Sequence, residues 1–141
     1  MILESVAAEN EHENAEEAFR HRLELFLGNT HDEGEDAFSF GITYEYRVSE
    51  IIGFGGFWEY AAGDFDKWLA GLPLFVHPYR GLRFVLAPGL EHEDSENEFL
   101  LRTGVAYELE LGRWSITPEF NIDFVDGEEA QVYGVSFGYG F

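Results

Sequence analysis

The feature that most constrains the fold is a strict alternation of large and small residues in the last nine positions of the C-terminal segment QVYGVSFGYGF. The odd positions from Tyr133 to Phe141 hold aromatic residues or valine, whereas the even positions hold glycine or serine. Successive side chains of a β-strand point to opposite faces, so a two-residue period is typical of a strand with two unlike faces. The same period begins at Phe19 and continues through the rest of the chain. We therefore predict an all-β fold.

The alternation predicts eight antiparallel strands, which cover residues 19–30, 36–48, 51–61, 68–78, 82–91, 98–111, 114–125 and 130–141. The links near Ser49, Arg80 and Gly112 are short, and the other four are longer and strongly acidic. Short links join antiparallel neighbours, so we predict an up-and-down meander with tight turns at one end and longer loops at the other. Because proline donates no ladder hydrogen bond, we also expect bulges or breaks at Pro73, Pro78, Pro88 and Pro118.

Length and charge limit the domain organisation and the partners. The 141 residues suit one barrel domain at residues 19–141, preceded by a flexible acidic arm at residues 1–18 that contains six glutamates. The arm lacks the basic and apolar regions of a signal peptide. We therefore expect the sequence to be a mature or recombinant form with a new initiator Met. With 28 acidic and 8 basic residues, binding to nucleic acid is not expected. Cysteine is absent, which excludes disulfides and thiolate metal sites.

Two kinds of barrel fit this meander, and they differ in which face meets water. A soluble ligand-binding barrel has an apolar interior, whereas a membrane barrel has an apolar exterior and a polar lumen. One face here is almost uniformly large, although Phe57, Leu69 and Phe75 fall on the other face. The interior of an eight-stranded barrel is only just wide enough to be filled by side chains, and the large face exceeds that volume. We therefore predict an eight-stranded antiparallel up-and-down transmembrane β-barrel.

In a membrane barrel, rings near the strand ends form two belts at the interfaces, where amphipathic rings are favoured. The predicted belt residues are Tyr46, Tyr107 and Trp114 toward the tight turns, and Trp58, Tyr60, Trp68 and Tyr133 toward the longer loops. Charged residues on the opposite face must be ion-paired or hydrated. We predict a lumen charge network of Arg22, Glu24, Glu45, Arg47, Glu59, Arg83, Arg102, Glu108, Glu119 and Asp123, with Arg20 and Glu110 on the same face.

The final strand, VYGVSFGYGF, has a terminal phenylalanine preceded by aromatic residues at alternating positions, and it resembles the C-terminal assembly signal of bacterial outer-membrane barrels. Residues 19–141 are similar in layout to the small eight-stranded outer-membrane barrels, such as the transmembrane domain of outer membrane protein A. The resemblance implies that Phe137, Tyr139 and Phe141 are recognised by the barrel-assembly machinery during insertion. It also implies a monomer in a bilayer with lipopolysaccharide. No single activity follows, because the family includes anchors, adhesins, small pores and lipid-modifying enzymes.

The acidic segments and the histidines are the candidates for metal and catalytic sites. The acidic segments HDEGED and EHEDSEN match no EF-hand, so we predict solvated charge there, with weak divalent-cation bridging to lipopolysaccharide phosphates as the alternative. We predict no metal site and no cofactor. His77 with Asp123 and Ser39, Ser115 or Ser136 is the candidate catalytic triad of the lumen face. None of the five histidines is followed by serine two residues later, the arrangement of the lipid A deacylase family, so we predict no enzyme.

The sequence thus predicts an integral outer-membrane barrel with a structural or porin-like role and at most a narrow polar lumen for small ions. Two alternatives remain open. A lipid-modifying outer-membrane enzyme would be recognised by lipid analysis after reconstitution. A soluble lipocalin-like binding barrel would be recognised by a monomer that needs no detergent.

Overall fold

The computed structural model describes residues 20–63 and 65–141, in which all regular structure is β. The strands are β1 (His21–Asp32), β2 (Glu35–Arg47), β3 (Ile52–Ala61), β4 (Lys67–Gly71), β5 (Leu74–Tyr79), β6 (Leu82–Glu93), β7 (Glu96–Tyr107), β8 (Leu109–Leu111), β9 (Trp114–Val125) and β10 (Glu128–Gly140). The predicted acidic arm at residues 1–18 lies outside the described residues. Within the described ranges, no helix has the length and apolar character needed to cross a membrane.

The strands close into a barrel. Strands that follow one another around the sheet pair antiparallel, and β10 pairs both with β9 and with β1. β4 and β5 lie end to end between β3 and β6, while β8 continues β7 along β9. The ten strands therefore occupy eight positions around the barrel. This arrangement confirms the predicted eight-stranded antiparallel up-and-down barrel.

The acidic links are shorter than predicted. The turns Glu33–Gly34, Asp94–Ser95 and Asp126–Gly127 each place two residues between strands, and all six residues have positive φ. Such two-residue turns match the twist of antiparallel strands, so the ladders extend into the acidic segments. The prediction of longer loops at one end is therefore wrong, except for residues 62–66. We call the end with these turns the acidic end, and the end that holds Arg20 and Phe141 the terminal end.

The prolines have different effects on the strands. Pro73 lies in the gap between β4 and β5, and the register of β5 against β6 shifts between Val76 and Tyr79, next to Pro78. The expected irregularities occur at these two positions. Pro88 and Pro118 instead lie inside continuous strands, where proline forgoes a ladder hydrogen bond without breaking the strand. The prediction of breaks at Pro88 and Pro118 is wrong.

The two faces of the barrel have opposite chemical character. Outward side chains are large and apolar, and Leu25 and Leu72 leave 47% and 71% of their surface uncovered. Most inward side chains are small, polar or charged, and Glu45 is only 3% exposed, although Phe57 and Leu69 are also buried inside. An apolar exterior around a polar interior is the arrangement of a membrane barrel, and it does not fit the soluble lipocalin-like alternative.

Inward glycines make room for the charged side chains. A Cβ atom on Gly138 of β10 would lie 2.5 Å from Ser115 Oγ and 3.0 Å from Glu24 Cγ. A Cβ atom on Gly53 would overlap the carboxylate of Glu45. The alternation of large residues with glycine therefore has a steric cause, because the large face meets lipid and the small face leaves space for ion pairs.

The outward face predicts a depth-dependent response to added charge. Leu25 lies within β1, opposite Phe137 and Ile42, whereas the outward Gln131 lies near the acidic end of β10. Leu25→Arg should lower the free energy of unfolding by about 2–4 kcal/mol, and Gln131→Arg by about 0–1 kcal/mol. Urea titration in lipid vesicles, followed by tryptophan fluorescence, measures both. Equal effects of the two substitutions would contradict the assignment of the outward face to lipid.

Candidate functional site in the lumen

A connected set of ion pairs occupies the terminal half of the lumen, and we call it the terminal network. Its members are linked by nitrogen–oxygen distances of at most 4.0 Å, and they are Arg22, Glu24, Glu45, Arg47, His77, Arg83, Glu108, Glu110 and Glu119. They come from strands on all sides of the barrel, and the period of two turns each of them inward or to the rim. Residues far apart in the sequence thus meet across the lumen.

Arg83 of β6 is the centre of the terminal network. Its Nη1 lies 3.0 Å from Glu24 Oε2 and 3.1 Å from Glu108 Oε2, and its Nη2 lies 3.7 Å from Glu119 Oε2. The guanidinium also packs over the ring of Phe75, 5.1 Å from the centroid. A buried guanidinium with several carboxylate partners and an aromatic face is well compensated for its loss of water.

His77 of β5 lies between two carboxylates. Its Nε2 is 2.7 Å from Glu45 Oε2, and its Nδ1 is 4.0 Å from Glu108 Oε2. Arg47 Nε approaches the same Glu45 oxygen at 3.3 Å. Arg22 completes the set, because it donates to Glu110 at 2.7 Å and lies 3.6 Å from Glu108 Oε1.

A second group, the central cluster, lies further toward the acidic end and consists of Arg102, Glu59 and Asp123. Arg102 of β7 contacts both oxygens of Asp123, at 2.6 and 2.9 Å, and both oxygens of Glu59, at 3.0 and 3.3 Å. The guanidinium stacks on Phe57 at 4.6 Å from the ring centroid. Paired contacts of this kind match the planar fork of arginine and hold all three side chains in one geometry.

Apolar side chains fill the lumen beside the central cluster. Phe57, Leu69, Ala87 and Leu100 are buried against one another, so the large residues that broke the alternation pack inside the barrel. A cavity of about 30 Å³ remains near Arg83 and Arg102, and Thr43, Phe57 and Asn121 are among the residues that line it. The middle of the lumen is therefore nearly filled.

At the acidic end a lysine replaces arginine as the lumen cation. Lys67 Nζ of β4 lies 3.1 Å from Glu91 Oε1 and 3.8 Å from Asp32 Oδ2, and its side chain is buried. The sequence prediction did not include Lys67, because the lysine was assigned to a loop. Its separation of two residues from the inward Leu69 is the signal that identifies it.

The ten charged residues predicted for the lumen all belong to the terminal network or the central cluster. Two neighbours behave differently. Arg20 is exposed and donates to the carbonyl oxygen of Arg47 at 3.4 Å, so its prediction as a lumen residue is wrong. Glu110 is half exposed and reaches Arg22 from the rim.

The candidate triad is not brought together. His77 contacts glutamates, whereas both carboxylate oxygens of Asp123 are held by Arg102. Ser39 Oγ hydrogen-bonds to Thr30 at 2.5 Å, and Ser136 Oγ donates to Glu119 at 2.5 Å. Ser115 Oγ is buried and has no hydrogen-bond partner among the described residues, so none of the three candidate serines bonds to His77.

The predicted aromatic residues lie toward both ends of the barrel. At the acidic end Trp68 stacks on His92 at 5.2 Å, and Tyr133 stacks on Phe120 at 6.4 Å. Tyr60 donates to Asp66 in the same region, and Trp58 packs edge-on against Phe40. At the terminal end lie Tyr46, Tyr107 and Trp114, of which Trp114 meets Tyr139 at 4.7 Å. Their position at membrane interfaces stays a prediction.

The last residues seal β10 against β1. Phe137, Tyr139 and Phe141 all point outward and are 37–47% exposed. Phe141 exchanges backbone hydrogen bonds of 2.8 and 3.0 Å with His21, and the two rings stack with centroids 5.3 Å apart. The residues proposed as an assembly signal thus lie on the seam that closes the barrel.

Solved membrane barrels have a similar fold. The N-terminal β-barrel domain of Pseudomonas aeruginosa OprF matches with a TM-score of 0.64 at 15% identity, over 85% of this chain and 97% of that chain. The Yersinia pestis attachment invasion locus protein Ail matches with a TM-score of 0.60 at 11% identity, over 86% and 96%. A de novo designed transmembrane β-barrel matches with a TM-score of 0.59 at 11% identity, over 83% and 94%. No protein-family model and no curated protein matches the sequence.

Removal of Arg102 tests the central cluster. Arg102→Met leaves Glu59 and Asp123 as buried carboxylates without a cation, so we expect a loss of about 3–5 kcal/mol in the free energy of unfolding. The triple variant Arg102→Met, Glu59→Gln, Asp123→Asn should regain most of the loss, because no buried charge remains. Arg80→Met in an exposed turn is the control, with an expected change within about 0.5 kcal/mol. Urea titration in vesicles measures all three, and a triple variant as unstable as Arg102→Met would contradict the pairing.

Proposed function

We propose that this protein, which has the fold of the small outer-membrane barrels, is an integral barrel of a bacterial outer membrane. Its role is structural, and its lumen is closed at the centre. The outward band of apolar side chains supports residence in a bilayer, and closure leaves no sheet edge to the lipid. The lipid bilayer is therefore its main partner. A monomer suffices, because closure already pairs all eight positions of the sheet.

The filled centre of the lumen carries this proposal. Arg102, Glu59 and Asp123 cross the lumen beside Phe57, Leu69 and Leu100, and the cavity near them measures about 30 Å³. Such a volume holds about two or three water molecules, since each needs roughly 10–15 Å³ by this measure. A hydrated ion needs more space than the static lumen provides.

A porin-like leak for small ions is the second candidate, and one observation favours it. The terminal end opens into a cleft of about 670 Å³ that reaches His77 and Glu108 of the terminal network. Ions reach His77 and Glu108 from this side, so the rest of the terminal network, the central cluster and its apolar neighbours are the remaining barrier. Ion passage then requires these side chains to rearrange.

The charge distribution supports an orientation. The acidic end carries the turns with Glu33, Asp94 and Asp126, whereas Arg20 and Arg80 are exposed at the terminal end. We place the terminal end in the periplasm and the acidic end outside. Lipopolysaccharide phosphates then meet acidic turns, and divalent cations between them relieve the repulsion.

Conductance distinguishes the two candidates. In a planar bilayer the wild-type chain should show no steady current above the lipid background, because the centre of the lumen is filled. The triple variant Phe57→Ala, Leu69→Ala, Leu100→Ala removes inward side chains and should produce small current steps. The matched control Phe54→Ala, Leu72→Ala, Phe99→Ala removes outward side chains that are 53–71% exposed, and it should stay closed. Steady wild-type steps would favour the porin-like role instead.

The assembly signal is tested at its last residue. Phe141→Ser should slow insertion into vesicles that contain the barrel-assembly machinery, because the machinery reads the aromatic residues of the final strand. Spontaneous refolding of the same variant in detergent should change much less. Phe124→Ser, at an outward aromatic position of β9 with similar exposure, is the control and should insert at the wild-type rate with the machinery present. Equal slowing of both variants would contradict a signal at Phe141.

A further inference from the structure

Glu45, His77 and Glu108 form a compact group of metal-ligand types inside the terminal network. One donor atom from each residue lies within 4.8 Å of the other two. They come from β2, from β5 and from the link between β7 and β8, so the barrel itself sets their spacing. The cleft of about 670 Å³ at the terminal end is lined by His77 and Glu108, which gives an entry path from solvent.

One oxygen of the group lacks a partner. Glu45 is 3% exposed, and its Oε2 contacts His77 and Arg47, but its Oε1 makes no hydrogen bond among the described residues. An unpaired buried carboxylate oxygen is unfavourable unless water or a cation reaches it. The Oε1 atom is therefore a vacant acceptor on the carboxylate whose other oxygen contacts His77.

The charges of the terminal network are also unbalanced. Five glutamates are connected to three arginines by distances of at most 4.0 Å, which leaves two negative charges when His77 is neutral. The glutamates are Glu24, Glu45, Glu108, Glu110 and Glu119, and the arginines are Arg22, Arg47 and Arg83. One divalent cation balances this surplus, whereas one proton on His77 balances half of it.

We propose that Glu45, His77 and Glu108 bind one divalent transition-metal cation of the Zn²⁺ class. An imidazole with two carboxylates is a ligand set for Zn²⁺ and its first-row neighbours, while Ca²⁺ and Mg²⁺ prefer oxygen ligands alone. Three protein ligands leave a fourth position for a water molecule from the cleft that His77 and Glu108 line.

The surrounding arginines are compatible with this site. Arg47 and Arg83 contact the Oε2 atoms of Glu45 and Glu108, at 3.3 and 3.1 Å, and Arg22 lies 3.6 Å from Glu108 Oε1. Glu45 Oε1 is the carboxylate oxygen of the group that these contacts leave for the metal. Metal-bound carboxylates commonly keep such outer hydrogen bonds, which orient them. Ligands at about 2.1 Å from a tetrahedral metal lie about 3.4 Å apart, so the donors need shifts of about 1 Å. The hydrogen bond between His77 and Glu45 gives way to the metal bonds.

The experiment uses the full chain refolded in detergent, with folding checked by heat-modifiable migration on a gel. Zn²⁺ binding is measured by competition with a chromophoric chelator, and Co²⁺ absorption reports the ligand geometry. Two variants each remove one ligand: His77→Gln removes the imidazole, and Glu45→Gln removes a carboxylate. If one variant fails to fold, the other still tests the site. The control variant His12→Gln, His31→Gln, His92→Gln removes three imidazoles that stand near acidic residues in the sequence.

We expect one Zn²⁺ per wild-type chain, weakened at least about 100-fold in each ligand variant and unchanged in the triple-histidine control. Excess Ca²⁺ should not displace the bound Zn²⁺. The proposal is overturned if the wild-type chain binds no Zn²⁺, if His77→Gln or Glu45→Gln keeps wild-type affinity, or if the triple-histidine control loses it. The conductance of the barrel plays no part in this measurement, so it stands apart from the proposed structural role.

Discussion

Closure of the sheet is the constraint on which the rest of this structure depends. β1 pairs with β10 from Arg22 opposite Gly140 to His31 opposite Gln131, so the first and last strands have no free edge along this seam. In hydrocarbon each unpaired N–H or C=O group costs several kcal/mol, which leaves closed barrels as the form in which strands cross a bilayer. Once the sheet closes, each side chain faces either lipid or lumen, and the two-residue period assigns it.

The narrow lumen then decides which residues the inner face tolerates. Eight strands leave little more than the width of the side chains themselves, so glycine makes room beside several long inward side chains. Gly138 makes room for Glu24, and Gly53 for Glu45. A buried charge is tolerated only when opposite charges contact it. Arg83 and Arg102 therefore each contact more than one carboxylate, and each guanidinium packs against an aromatic ring.

Sequence reasoning succeeded where a property depends on strand faces. The alternation in β2 and β9 was sufficient to place their large residues outside and Glu45, Glu119 and Asp123 inside. Sequence reasoning failed where a property depends on how far a strand extends. Acidic composition suggests a loop, but the paired strands continue through the acidic segments and end in short turns. Lys67 was missed for this reason. Pro88 was expected to break β6, yet pairing on both sides keeps the strand continuous.

The sequence by itself determined the class of fold, the lipid-facing side of most strands and the charges of the terminal network and the central cluster. Only the tertiary structure decided which charges meet, because partners lie on strands that are distant in the chain. Glu24 is 59 residues from Arg83, and His77 is 32 residues from Glu45. The physical reason is the stagger of the strands, which sets the level at which each inward residue reaches the lumen. A period of two records the face of a residue, but it carries no information about that level.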